Sequence, residues 1–78
     1  MIRYTYSATG RGGAKAHRQR LWEVEGEVYT DQPGQFKTAL ALAFVDLWAA
    51  LMQGKAECDG PYTITRMLIS LAEDEQAH

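Results

Sequence analysis

The chain has one cysteine in 78 residues, Cys58, so no disulfide can form within it. Its two histidines, His17 and the terminal His78, do not make a structural zinc set with that thiol. No metal and no cofactor is therefore expected. Asp59 follows Cys58 directly, but neighbours in sequence do not make a nucleophile and base, and no histidine stands in a recognisable relation to the thiol. The chain is read as a non-enzyme and Cys58 as a buried structural thiol. The longest apolar-rich run, FKTALALAFVDLWAALM, is interrupted by Lys37, Thr38 and Asp46 and is too short for a transmembrane segment. MIRYTYS lacks the basic stretch and apolar core of a signal peptide. A cytoplasmic protein with no membrane contact is the expectation, and a lone thiol agrees with a reducing compartment.

What remains is a soluble globule, with 46% hydrophobic residues and charges of both signs. A chain this short removes only about 60–65% of its unfolded surface from water, so the core is thin. The net charge of −2 hides a division. Arg11, Lys15, Arg18 and Arg20 crowd into ten positions with His17 among them, whereas Glu23, Glu25, Glu27 and the run Glu73 to Glu75 are acidic.

Ile2 to Ala8 alternates, with Ile2, Tyr4, Tyr6 and Ala8 on one side and Arg3, Thr5 and Ser7 on the other, which is the period of a half-buried strand. TGRGGA reads as a glycine-rich, mobile loop. From about His17 to Tyr29 a second alternation sets Trp22, Val24 and Val28 against Glu23, Glu25 and Glu27. Gly26 falls on the apolar side, where a missing side chain admits a close neighbour. TDQPGQF is a helix start, with Thr30 or Asp31 as cap and Pro33 in the first turn, and the helix is expected from about Pro33 to Gln53, stopped by Gly54. Phe36, Ala39, Leu40, Ala43, Phe44, Leu47 and Leu51 would form its core stripe. YTITRMLISL is read as a third strand over 62–71, although Ile64, Met67, Leu68 and Leu71 also fit a helical spacing. The fold class is thus α+β: a three-stranded antiparallel sheet with one long helix on one face, in ββαβ order. Residues 1–72 form a single domain and 73–78 an acidic C-terminal tail.

Three surfaces stand out. The basic loop carrying Arg11, Lys15, Arg18 and Arg20 lacks both the Walker and the Rossmann spacing, yet positive charge on a loop attracts phosphates or an acidic protein surface. Glu23, Glu25 and Glu27 share one face of a strand at about 6–7 Å intervals. They form either a solubilising face or an acidic patch that meets a basic protein, relieved by cross-strand partners such as Arg3 or Arg66. Leu42, Val45, Trp48, Ala49 and Met52 lie opposite the core stripe, leaving the helix apolar nearly all round. A homodimer with Trp48 near its centre is expected there. The competing covers are a heterologous partner and the C-terminal segment folded back as a helix.

The layout of Ile2 to Leu71, strand, strand, long helix, strand, with a hairpin loop and a charged open sheet, resembles that of many small phage proteins, including several type I anti-CRISPR proteins. The resemblance lies in size, layout and charge. It implies a non-enzymatic inhibitor that binds the CRISPR surveillance complex, a ribonucleoprotein, and blocks target DNA. The alternative from another class is a nucleic-acid-binding module using the basic loop 11–20.

Overall fold

The structure is a computed structural model and describes residues 1–72; the acidic segment 73–78 lies outside the described residues. Strands β1 (Ile2–Gly12), β2 (Arg20–Thr30) and β3 (Tyr62–Leu71) and helix α1 (Phe36–Met52) follow in the order ββαβ. β1 is central in the antiparallel sheet β2-β1-β3. The fold is therefore α+β, with the helix packed on one face of the sheet and lying mainly over β2.

The hairpin is longer and its loop shorter than the glycines of TGRGGA suggest. β1 continues through Thr9, Gly10, Arg11 and Gly12, and β2 begins at Arg20 rather than His17. The reason is packing. Gly10 is the cross-strand partner of Trp22 and Gly26 that of Tyr6. A Cβ on Gly10 would strike the Trp22 ring and the Thr63 carbonyl oxygen, and one on Gly26 would lie 2.6 Å from the Tyr6 ring. Each glycine is a flat seat for the aromatic ring opposite it, an arrangement that compensates for a missing strand side chain. The remaining loop, 13–19, is closed by a short 3-10 turn, Ala16–Arg18, by the Arg18 amide donating to the Lys15 carbonyl (2.8 Å), and by the Gly13 amide donating to the Pro61 carbonyl (3.2 Å). It is a folded turn.

The helix also starts later than its sequence signal. Gln35, not Thr30 or Asp31, is the N-cap, its carbonyl accepting from the Ala39 amide, and Pro33-Gly34 belongs to the preceding turn. The Thr30 hydroxyl is occupied elsewhere, donating to the Gln32 carbonyl. The end is as expected. Gly54 at φ +84° follows the Gln53 cap, with the Gly54 amide donating to Leu51 and the Lys55 amide to Ala50, the paired bonds of a Schellman stop.

The third segment is a strand, and its helix-like spacing has a structural cause. Thr9 pairs with Arg66 but Gly10 pairs with Ile64, so Thr65 is the extra residue of a β-bulge. The bulge shifts the alternation by one. Tyr62 and Ile64 pack toward the helix before it, Met67 and Ile69 after it, which produces the three-residue step from Ile64 to Met67. The core itself is Tyr4, Tyr6, Ala8, Trp22, Val24 and Val28 from the sheet, with Ala39, Ala43, Leu47, Ala50, Leu51 and Ala56 against them. Phe36 and Phe44, assigned to the core stripe on spacing, remain 48% and 39% exposed, since the helix lies mainly over the edge strand β2 rather than over the middle of the sheet. Phe36 meets the Tyr4 ring edge-on at 6.4 Å.

Candidate functional site

No described segment covers the side of the sheet away from the helix, and the register makes it a grid. Across β2, β1 and β3 the rows read Glu27, Thr5, Ser70; then Glu25, Ser7, Leu68; then Glu23, Thr9, Arg66; then Leu21, Arg11, Thr63. Hydroxyls of Thr5, Ser7 and Thr9 form the floor, because the outward positions of the central strand between Arg3 and Arg11 carry only small polar side chains. The carboxylates of β2 make one wall and Leu68 and Ser70 the other. Between them lies a shallow trough of about 590 Å³ lined by Thr5, Ser7, Glu25, Glu27, Leu68 and Ser70. A second depression, bounded by Ser7, Thr9, Glu23, Arg66 and Leu68, continues it toward the hairpin end.

The three glutamates are not equivalent. Glu27 is held at both oxygens: Arg3 donates to Oε2 at 3.0 Å and the Tyr29 hydroxyl to Oε1 at 2.9 Å. Arg3 therefore relieves the row as expected, reaching diagonally from its position opposite Tyr29. Arg66 does not pair with Glu23. Both residues flank Thr9, on β3 and β2 respectively, so about two strand spacings, or ~9.6 Å, separate their backbones. Among the described residues Glu23 and Glu25 have no ion-pair partner, and both are exposed.

The basic residues gather at the hairpin end but do not share a face. Arg11 stands on the open side of β1; Arg20, opposite Gly12, stands on the helix side of β2; Lys15, His17 and Arg18 belong to the loop. All five are exposed. Cys58 is a free, half-buried thiol beneath Gly12, where the missing Cβ makes room for its sulfur.

On the helix, Leu42 is 40% exposed, Val45 69%, Trp48 42% and Met52 81%. No described segment lies over them, and since 62–71 is a strand, cover by a C-terminal helix is ruled out for those residues. The most exposed positions are Val45 and Met52, which moves the crest of this surface away from Trp48.

One polar link escaped the sequence reading. The Tyr6 hydroxyl, its ring lying over Gly26, donates to the Asp46 carboxylate at 2.5 Å and ties the central strand to the helix. Burial, then the hydrogen bond to Asp46 and its negative charge, push the Tyr6 phenol well above its ordinary range. The signal was present in the glycine opposite an aromatic residue, but it becomes readable only once the register is known.

Comparison with protein-family models, characterised proteins and solved structures finds no match for this chain. No helix among the described residues is long and apolar enough to cross a membrane.

Proposed function

We propose that this chain is a small non-enzymatic protein-binding inhibitor that docks through its open sheet onto the basic surface with which a protein complex holds nucleic acid. The observation that carries this reading is the exposed pair Glu23 and Glu25, unpaired among the described residues, beside a hydroxyl-floored trough. Carboxylates at regular intervals on a rigid strand present an extended nucleic-acid-binding groove with a row of negative charge like that of its natural ligand, and repel nucleic acid itself. The resemblance to type I anti-CRISPR proteins in size, layout and charge makes a CRISPR surveillance complex the first target to test, with the inhibitor acting in the cytoplasm.

The test is binding of the chain to a purified type I surveillance complex, with target duplex DNA as competitor. Wild type should compete with the DNA. The triple charge reversal Glu23→Lys, Glu25→Lys, Glu27→Lys should abolish binding while circular dichroism stays native, because opposed charges set register and suppress wrong partners. Binding unchanged by the reversal removes the open sheet from the mechanism.

The second reading rests on the five basic residues at the hairpin end: a nucleic-acid-binding module engaging phosphates through Arg11, Lys15, Arg18 and Arg20. Mobility shift with duplex and single-stranded DNA and RNA at low salt decides it. Alanine at the four positions should remove any shift, and the wild-type shift should weaken steeply as salt rises.

A further inference from the structure

The helix is apolar nearly all round, and its own sheet covers only one side. α1 lies mainly over β2, so the helix-facing side of β3 is also incompletely covered: Ile64, Met67 and Ile69 are half-buried and Leu71 is 57% exposed. Among the described residues two apolar surfaces are thus left without cover, the outer side of α1 and the seat beside it over β3. Each has the chemistry the other needs.

We propose that a second copy of this chain covers both. The two sheets face one another across a single layer made of both helices, and α1 of each copy occupies the empty seat over β3 of the other. The outer side of α1 then packs on the partner's sheet, and its Phe44 and Trp48 flank lies along the partner's helix. Every apolar side of the helix acquires a neighbour, which accounts for a helix that has no ordinary polar face.

Charge favours a second copy over a partner of another kind. In a two-fold contact each patch meets itself, so a charged patch would repel its own image. The outer side of α1 around Val45, Ala49 and Met52 bears no charged side chain: Asp46, the helix's one acid, stands on a flank where Tyr6 hydrogen-bonds it, and its one lysine, Lys37, stands at the helix start. The open sheet, with its glutamate row, is the face on which self-association is opposed. Shape agrees with charge. Ala41 and Ala49 flank Val45 one helical turn away on either side, a low ridge on which another backbone element can approach closely. Area agrees as well. A stable interface takes about 800 Å² from each partner. Five large helix side chains between 39% and 81% exposed, with the half-covered row of β3, supply an area of that order. In this arrangement the two open sheets point away from each other, so the dimer presents two identical docking faces.

Sedimentation equilibrium between 1 and 100 µM tests the proposal, on wild type, Val45→Lys and Leu71→Lys. Both substituted side chains are more than half exposed, so the monomer fold should survive, which circular dichroism checks. Wild type should reach twice the chain mass of 8.7 kDa with a micromolar dissociation constant. Val45→Lys should weaken association by roughly a hundredfold or more, since it buries a charge at the centre of the contact twice over. Leu71→Lys should weaken it by about tenfold, being nearer the rim. Trp48 emission should shift to the blue as wild type associates. A wild type that remains monomeric at 100 µM, or a dimer that either substitution leaves unchanged, overturns the proposal.

Discussion

The two faces of the sheet are built from the same residues in alternation, yet they obey different rules. On the helix side of β1 and β2, Tyr4, Tyr6, Ala8, Trp22, Val24 and Val28 are all buried, and even the glycines are fitted to the rings beside them. One residue away in each case, Thr5, Ser7, Thr9, Glu23 and Glu25 line the trough and the depression that continues it, with no described residue above them. The covered face determines whether the chain folds. The open face buries few apolar side chains, so substitutions there are expected to cost the fold little. Aromatic rings seated on glycines and a tyrosine tied to the helix make the first rigid, and that rigidity holds the carboxylates of the second at fixed spacing.

The sharpest test of this division compares neighbours. Gly10→Ala places a methyl group against the Thr63 carbonyl oxygen and the Trp22 ring at once. A ring alone can be displaced, but the carbonyl belongs to the β1–β3 pairing and cannot move without disturbing it. A loss of about 3 kcal/mol or more is expected, comparable with the whole stability of a domain of this size. Thr9→Ala, on the open face next door, should cost less than about 1 kcal/mol. Thermal melts followed by circular dichroism should show the first variant largely unfolded at room temperature and the second close to wild type. Similar losses at both positions would mean that the two faces are not energetically distinct.

A smaller effect is expected at the link between sheet and helix. Tyr6→Phe removes a hydrogen bond to a carboxylate and leaves Asp46 without its donor, which should cost about 1.5–3 kcal/mol. The same bond has a pH signature. The folded state holds the Tyr6 proton more tightly than the unfolded chain does, so the bond's contribution is complete below the unfolded phenol value of about 10 and declines as pH rises beyond it. Wild type should therefore lose stability between pH 10 and 11 more steeply than Tyr6→Phe, as urea midpoints at each pH would show. Parallel losses would remove the Tyr6 proton from the balance.

The sequence yields the covered face more fully than the open one, and the reason is physical. Alternation in IRYTYSA and LWEVEGEV reports directly on which side meets the core, and the apolar stripe of FKTALALAFVDLWAALM reports on the helix, since burial constrains each residue type strongly. Glycine carries two opposite meanings that composition cannot separate. In TGRGGA it looked like loop, whereas Gly10 and Gly12 are strand positions where a ring or a thiol comes close. The bulge at Thr65 imitates a helical step for a similar reason, because one inserted residue converts a spacing of two into three. On the open face, the glutamate row was legible as a row. Which glutamate is held and which is available depends on register, as Arg3 reaches Glu27 diagonally while Arg66 stands two strands from Glu23.

That last distinction sets the smallest effect, and it divides the open face within itself. Glu27 accepts from Arg3 and Tyr29, so Glu27→Gln weakens a partly exposed ion pair and should cost roughly 0.2–1 kcal/mol, the range for pairs at a surface. Glu23 and Glu25 are exposed and have no ion-pair partner among the described residues. Neutralising either removes repulsion between like charges on one strand face, so Glu23→Gln and Glu25→Gln should leave the melting temperature within about 2 °C of wild type or raise it slightly. Salt separates the two cases. Salt weakens attraction and repulsion between exposed charges alike, over a screening length of about 10 Å at 0.1 M that shortens as salt rises. Added salt should therefore narrow the difference between wild type and Glu27→Gln from one side, and that between wild type and Glu25→Gln from the other. A loss of stability at Glu23 or Glu25 equal to that at Glu27 would mean that these carboxylates are part of the structure, and the argument that they are free for a partner would fail. If stability is unchanged while binding to a basic surface is lost, the same two residues are assigned to recognition alone.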